Sequence, residues 1–379
     1  MTAVRYLDLE INSSTYPAYE RTLIDSIAAG EAPPTVMHWT FDDNLFLELG
    51  PVEDASLIDR EAAREAGINY GRRYNVSGGT GFFQGDNTPV LYMFFKDRGE
   101  RTMEEYIDLA GEAMAKSLRD AGLDDAVYRE GGDVELEPDE PGGQYGKIGV
   151  SGAGYQDGVW GIFTNLINWT FDPEVFGTID EVLKLPDEKF EDKETESVAG
   201  RMTSLQDEAP DVDIEPIVEE TIENLSGILD GTVDPGSLSD DERAVFEEHQ
   251  EFYSTDDWFE RYNTNHVFET TGLDDRVAEV AYKGRKLIKA SVVVTSDGTI
   301  DTVQFTGDMF HKPAFEAIER LNGAVEGIQI EDTDALLSAI EGVYAADDFA
   351  IPWLPPEDFL QPLQGASENL QLLSEFDRE

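Results

Sequence analysis

Two short stretches carry residues that could do chemistry. The first is Arg72-Arg73-Tyr74-Asn75-Val76-Ser77-Gly78-Gly79-Thr80-Gly81-Phe82-Phe83, a paired arginine followed by a small-residue loop and then aromatics. Glycines let the backbone come close to a ligand and present N–H groups to an anion, and a guanidinium can pair bidentately with phosphate or carboxylate. Taken alone, a turn with exposed arginines is the commoner explanation. The second is Gly146-Lys147-Ile148-Gly149-Val150-Ser151-Gly152-Ala153-Gly154-Tyr155. It lacks the GxxxxGK[ST] order of a Walker loop. It offers one ammonium, Lys147, among small residues, suited to pairing with a carboxylate or a phosphate and to holding charge that develops in acyl transfer. A Gly-rich hairpin with an incidental lysine is the bland alternative.

The remaining reactive side chains are less pointed. His38, His249, His266 and His311 show no metal-ligand spacing and are expected to be structural or surface residues. Asp42-Asp43 and Asp86-Asn87 could reach a magnesium ion, but acidic residues are so frequent here that solvation of the surface explains them first. Lys283, Arg285, Lys286 and Lys289 form an unusual basic cluster, explained either by strand alternation or by contact with an acidic partner or a nucleotide. Cysteine is absent, which removes disulfides, zinc-thiolate and iron–sulfur sites and every thiol nucleophile.

The chain that must position these residues has 379 of them, 40% hydrophobic and 10% aromatic, enough for one large core or two moderate ones. With 81 acidic against 27 basic residues the formal net charge is -54, which would repel itself apart at low salt. Molar salt shortens the Debye length to ~3 Å and removes most of that penalty. The acidic residues run through both halves, so a salty cytoplasm is the expected setting, and a nucleic-acid partner is not expected, because phosphate neutralisation needs a basic surface. No apolar run approaches the ~20 residues that span a bilayer, and the first residues lack the layout of a signal peptide. The expected location is cytoplasmic, with no membrane partner.

Hydropathy patterning predicts a short helix over 18–27, strand-like stretches over 35–49 and a buried strand over 90–95. Thr102 and Glu105 form a capping-box pair ahead of Met103, Tyr106, Ile107, Ala110, Met114 and Leu118, which recur at helical spacing. Residues 131–158, rich in Gly, Asp, Glu and Pro, read as surface loop with strand fragments, and 160–171 as strand. Residues 186–196 read as exposed. An amphipathic helix is expected over 213–229 and another after Ser239, whose Glu242 completes a second capping box. Beyond about residue 262 the pattern becomes a compact α+β unit. Asp297-Gly298 marks a hairpin between 286–295 and 299–305, helices follow at 312–322 and 333–344, and the proline-rich stretch from Ala350 is expected to be irregular.

Taken together, the order RR, SGG, then K-I-x-G-x-(G)-A, then Gly161-Ile162-Phe163-Thr164-Asn165-Leu166 and Ser197-Val198-Ala199-Gly200-Arg201-Met202-Thr203-Ser204-Leu205, resembles the lipoate-protein ligase A family, one of the biotin and lipoate protein ligases. Leu238-Ser239-Asp240-Asp241-Glu242-Arg243 through Ser254-Thr255-Asp256-Asp257-Trp258 looks like the end of that family's catalytic domain. Gly284-Arg285-Lys286-Leu287-Ile288-Lys289-Ala290 and Phe305-Thr306-Gly307-Asp308-Met309-Phe310 resemble its small accessory domain.

The resemblance implies an α+β fold, with a mixed central sheet flanked by helices over 1–262, a smaller C-terminal α+β accessory domain over 263–347 and a tail over 348–379. It implies two steps: ATP, with Mg2+, activates lipoate as lipoyl-adenylate, and the lipoyl group then passes to a lysine of a lipoyl-acceptor domain, a 2-oxoacid dehydrogenase E2 subunit or glycine-cleavage H protein. Ser77, Gly78, Gly79 and Thr80 would line the lipoyl and adenylate cleft with Gly152 and Ala153, and Arg72 or Arg73 would face its carboxylate and phosphate end. Lys147 would be the catalytic residue. The chain departs from the pattern at Thr80, which replaces a third glycine, and at Gln84-Gly85, which replaces a His-Asp pair. Two extra residues lie between Arg73 and Ser77, and one before the second glycine of the lysine motif. An octanoyltransferase on this fold would need a cysteine to carry the acyl group, and the chain has none. A biotin ligase would carry a GRGR-type loop, which is not found. A non-catalytic lipoyl- or nucleotide-binding protein and a relay acyltransferase are the alternatives.

Overall fold

The computed structural model describes residues 2–41, 45–83, 88–138, 145–168, 173–184, 202–269, 272 and 274–376. Asp42-Asp43, Gln84-Gly85, Asp86-Asn87 and the stretches 186–196 and 197–201 lie outside the described residues.

In chain order the strands are β1 (Thr2–Ile11), β2 (Thr35–Phe41), β3 (Phe46–Leu49), β4 (Asn69–Arg72), β5 (Gly81–Phe83), β6 (Val90–Lys96), β7 (Ala126–Arg129), β8 (Asp133–Leu136), β9 (Gly146–Gln156), β10 (Val159–Leu166), β11 (Gly231–Pro235), β12 (Arg276–Lys283), β13 (Leu287–Val294), β14 (Ile300–Gly307) and β15 (Gln371–Leu372). Eight of them make a mixed sheet in the order β11-β1-β2-β6-β10-β9-β8-β7. β1 runs parallel to both β11 and β2, and the remaining neighbours are antiparallel. A small sheet β4-β3-β5 sits beside it, and β14-β13-β12-β15 form a separate antiparallel sheet. This is the mixed α+β architecture expected from the sequence.

Strand alternation sends successive side chains to opposite faces. Trp39, Tyr92, Phe94 and Phe163 therefore face the helix Tyr16–Ala29, whose Leu23, Ile24 and Ile27 are buried with them. Val36, Leu91, Met93, Phe95 and Ile162 face the opposite layer, built from the helices Met103–Asp120 and Ile214–Gly227. The expected face of the first of these, Met103 to Leu118, is buried throughout, and its capping box closes in both directions between Thr102 and Glu105. The box at Ser239 and Glu242 starts the helix Asp240–Tyr253 in the same way.

Two expectations are overturned. The stretch 131–158 is not mainly loop: β9 is an 11-residue strand paired with β10 along most of its length. Its glycines suggest a loop, but they permit close packing; a Cβ on Gly154 would stand 2.0 Å from the carbonyl oxygen of Asn75. The stretch beyond Ala350 is not irregular either. Pro355 and Pro356 occupy the N-cap and first-turn positions of the helix Pro356–Glu368, where a missing N–H leaves no intrahelical bond unmade. Phe359, Leu360 and Leu363 of this helix are buried in one core with Ala278, Ile288 and Ala290 of β12 and β13. No helix among the described residues is long and apolar enough to cross a membrane.

Candidate active site

The two chemical stretches meet in a cleft of about 360 Å³. One wall is the loop 77–80 with Phe82 and Phe83 of β5. Another is the turn 130–133 with Lys147, Val150 and Ser151 of β9, and Phe163 stands between them. Ile167, Leu183 and Met202 add an apolar patch. The C-terminal sheet contributes Lys283 from the end of β12 and Arg285 and Lys286 from the β12–β13 turn, and Asp308 and Phe310 follow from the end of β14.

Lys147 reaches the cleft because of a β-bulge. Glu135 pairs with Lys147 and Val134 with Gly149, so Ile148 is the extra residue, and Val150 then pairs with Asp133. Residues directly opposite one another share a face. Lys147, Val150 and Asp133 therefore lie on one side, although regular alternation would put Lys147 and Val150 on opposite sides. The bulge at Ile148 re-aims the Lys147 side chain, as bulges commonly do beside active sites. The Lys147 ammonium donates to Asp133 Oδ1 at 2.6 Å, with both side chains part-exposed.

The two adjacent arginines have different tasks. At the end of β4 they project to opposite sides, so both cannot face one cleft. Arg72 is fully buried away from it. Its Nη1 donates to the carbonyls of Gly50, Pro51 and Glu53, and its Nε to Phe259 at 2.9 Å. The expectation that Arg72 binds the acid or phosphate is thus replaced by a structural role. Arg73 borders the cleft from below: Nη1 lies 3.0 Å from Glu48 Oε2 and Nη2 donates to the carbonyls of Gly78 and Gly79. Its guanidinium shapes the loop rather than projecting freely into the cleft.

Loop 77–80 is held from every side. Ser77 N–H donates to Ala153 O at 3.2 Å, Gly78 N–H to Met309 O at 3.0 Å, and Thr80 Oγ1 to Glu53 Oε2 at 2.8 Å. Gly78 has φ +116°, a backbone that side chains rarely adopt, and the Phe310 ring is 3.3 Å from where its Cβ would be. Gly79 is abutted by the Asp308 carboxylate.

Gly152 and Ala153 do not line the cleft, contrary to expectation. A Cβ on Gly152 would stand 2.4 Å from the Phe163 ring, so this glycine makes room for an aromatic that does line it. Ala153 is buried and serves through its carbonyl. Sequence reading missed the roles of Asp133, Asp308, Phe310 and Glu48. In a chain with 81 acidic residues no single carboxylate stands out.

Beneath the loop lies a buried acid pair. Burial pushes the Glu20 carboxyl up to about 8 from an ordinary 4.5, although the N–H groups of Tyr74 and Asn75 oppose the shift. Burial pushes Glu48 up to about 7 against the pull of Arg73. A carboxyl raised in the fold contributes stability that is complete below about pH 4.5 and lost as pH rises through about 8. Glu20→Gln is expected to flatten the decline in stability over that window, read as denaturant midpoint against pH; an unchanged slope would contradict the assignment.

The family described as lipoyl protein ligase A/B catalytic domain matches residues 14–226. Lipoate-protein ligase A subunit 1 of Thermoplasma acidophilum is 24% identical over 246 residues, 64% of this chain and 89% of the relative. A crystal structure of lipoate-protein ligase A bound with ATP superposes with TM-score 0.55 at 21% identity, covering 69% of this chain and 100% of the other. P. falciparum LipL1 in complex with lipoate gives TM-score 0.64 at 11% identity, covering 96% and 98%. These structural likenesses show a shared fold.

Proposed function

The chain belongs to the lipoyl protein ligase A/B catalytic domain family, and from that premise we propose that it is an ATP-dependent lipoate-protein ligase. The observation that carries the reading is the bulge at Ile148, which turns Lys147 into the same cleft as loop 77–80. The cleft joins apolar residues, Phe82, Ile167, Leu183 and Met202, to a cationic group around Lys147 and the β12–β13 turn. That pairing suits an acid with an apolar chain and a nucleotide.

In the first step a lipoate carboxylate oxygen bonds to the α-phosphorus of ATP as the bond to the β-phosphate oxygen breaks, and pyrophosphate leaves. In the second, the ε-amine of an acceptor lysine attacks the acyl carbon, AMP leaves and the amine gives up a proton. Lys147 would exchange its partner Asp133 for the carboxylate and α-phosphate, and would hold the charge that builds on them. Ser77, Gly78, Gly79 and Thr80 would wall the adenylate, with Arg73 fixing their carbonyls from beneath. Neither step asks the enzyme for a nucleophile, in keeping with the absence of cysteine. Magnesium would enter as the counter-ion of ATP.

Residues 1–262 would form the catalytic domain and 263–347 the accessory domain, to which the helix Pro356–Glu368 would also belong. The acceptor would be a lipoyl domain of an E2 subunit or an H protein; a Thermoplasma acidophilum structure described as a bi-partite lipoate protein ligase and its E2 lipoyl domain supports that choice. The test is ATP–pyrophosphate exchange with lipoate, octanoate or biotin. Exchange that requires lipoate supports the reading, and no exchange with any acid would overturn it.

A further inference from the structure

We propose that the β12–β13 turn is an anion subsite for the β- and γ-phosphates of the nucleotide, with Lys286 and Arg285 as its principal cations. This rests on the cleft being an adenylating site, and it adds which residues take the leaving group.

Charge at the cleft runs against the rest of the molecule. Five of its lining side chains are cationic and three anionic, in a chain with 27 basic and 81 acidic residues. Two of the five come from this one turn and a third, Lys283, from the strand end that leads into it. Lys289, fourth in the same basic cluster, points elsewhere and pairs with Asp54 and Glu279.

Lys286 makes the case most clearly. Its ammonium lies 4.9 Å over the Phe310 ring and donates to Gly131 O at 3.2 Å; among the described residues it pairs with no carboxylate. An ammonium part-buried against a ring, in so acidic a chain, is costly to leave without a counter-charge. An anion in the cleft would supply one. Arg285 is held aside by Glu130 at 2.8 Å, but half-exposed, so this surface bridge is weak and its guanidinium can transfer to a phosphate that offers bidentate acceptors.

The same contacts could merely fasten the C-terminal sheet to the turn 130–133, and the test separates the two. Calorimetric binding of ATP, AMP and inorganic triphosphate is compared for the full chain, Lys286→Gln, Arg285→Gln and Glu130→Gln at one ionic strength. The subsite predicts that wild type binds triphosphate, and ATP more tightly than AMP. Lys286→Gln and Arg285→Gln would each lower ATP and triphosphate affinity about tenfold or more while leaving AMP unchanged. Glu130→Gln, which frees Arg285, would keep or raise ATP affinity. Unchanged triphosphate binding in both cation variants, or no binding by wild type, would overturn the subsite. So would a loss in Glu130→Gln equal to that in Arg285→Gln, which marks a fastening. Failure of the ligase reading is separate: wild type would bind triphosphate at the turn yet show no lipoate-dependent exchange.

Discussion

Lys147→Ala is expected to lower lipoate-dependent ATP–pyrophosphate exchange by about 10²–10³-fold, the loss typical when one group that stabilises developing charge is removed. The fold should survive. The Lys147–Asp133 pair is part-exposed, at 22% and 31% for the two side chains, and such pairs are generally worth about 0–1 kcal/mol. Asp133 is part-exposed and keeps its contact with water in the variant, so no buried charge is stranded. Exchange rate and thermal midpoint should therefore part company: activity collapses while the midpoint hardly moves. Lys147→Arg keeps the charge, but it replaces a compact ammonium with a planar fork on a strand whose bulge sets the reach of the side chain, and it should remain strongly impaired. Retention of most exchange in the alanine variant would remove Lys147 from the centre of the chemistry.

Arg73→Ala should have the opposite profile, with a loss of about 3–5 kcal/mol in unfolding free energy, as expected when one partner of a buried ion pair is removed. Both Arg73 and Glu48 are nearly inaccessible to water. Truncation strands the Glu48 carboxyl and takes the donor from the carbonyls of Gly78 and Gly79. Because Glu48 already sits near 7, protonation can relieve part of the cost, so the variant should lose less at pH 6 than at pH 8. Glu48→Gln added to Arg73→Ala should cost less than the two changes summed, the signature of coupling in a double-mutant cycle. Denaturant titrations of the four proteins give the answer; strict additivity would mean that the pair is not coupled.

Much of this molecule was legible in its residues, for reasons that are local. Thr102 and Glu105, or Ser239 and Glu242, specify a helix start within four residues, and the buried stripe behind Thr102 repeats at one helical period. The Asp297-Gly298 turn is similarly self-contained, with Gly298 at φ +90°. Two misreadings have one cause: β9 and the helix Pro356–Glu368 are rich in residues that suggest breaks, and tertiary packing decides otherwise. The glycines of β9 serve its neighbours, and Pro356 starts a helix.

At the site, Lys147 stands out because cations are scarce, whereas nothing in the order of its neighbours shows that a bulge at Ile148 aims it. The two arginines were indistinguishable as a pair. Only the strand ending at Arg72 assigns one to the turn 50–53 and the other to the loop. Asp308 and Phe310 come from some 230 residues further along the chain than loop 77–80, a separation across which spacing says nothing.

The most direct test of the central claim is the mass of a purified lipoyl-acceptor domain after incubation with this chain, ATP and lipoate. The account predicts one lipoyl group on one lysine, formed only when ATP is present and accompanied by AMP and pyrophosphate. An acceptor that remains unmodified while the chain is folded, or one that is lipoylated without ATP, would contradict it.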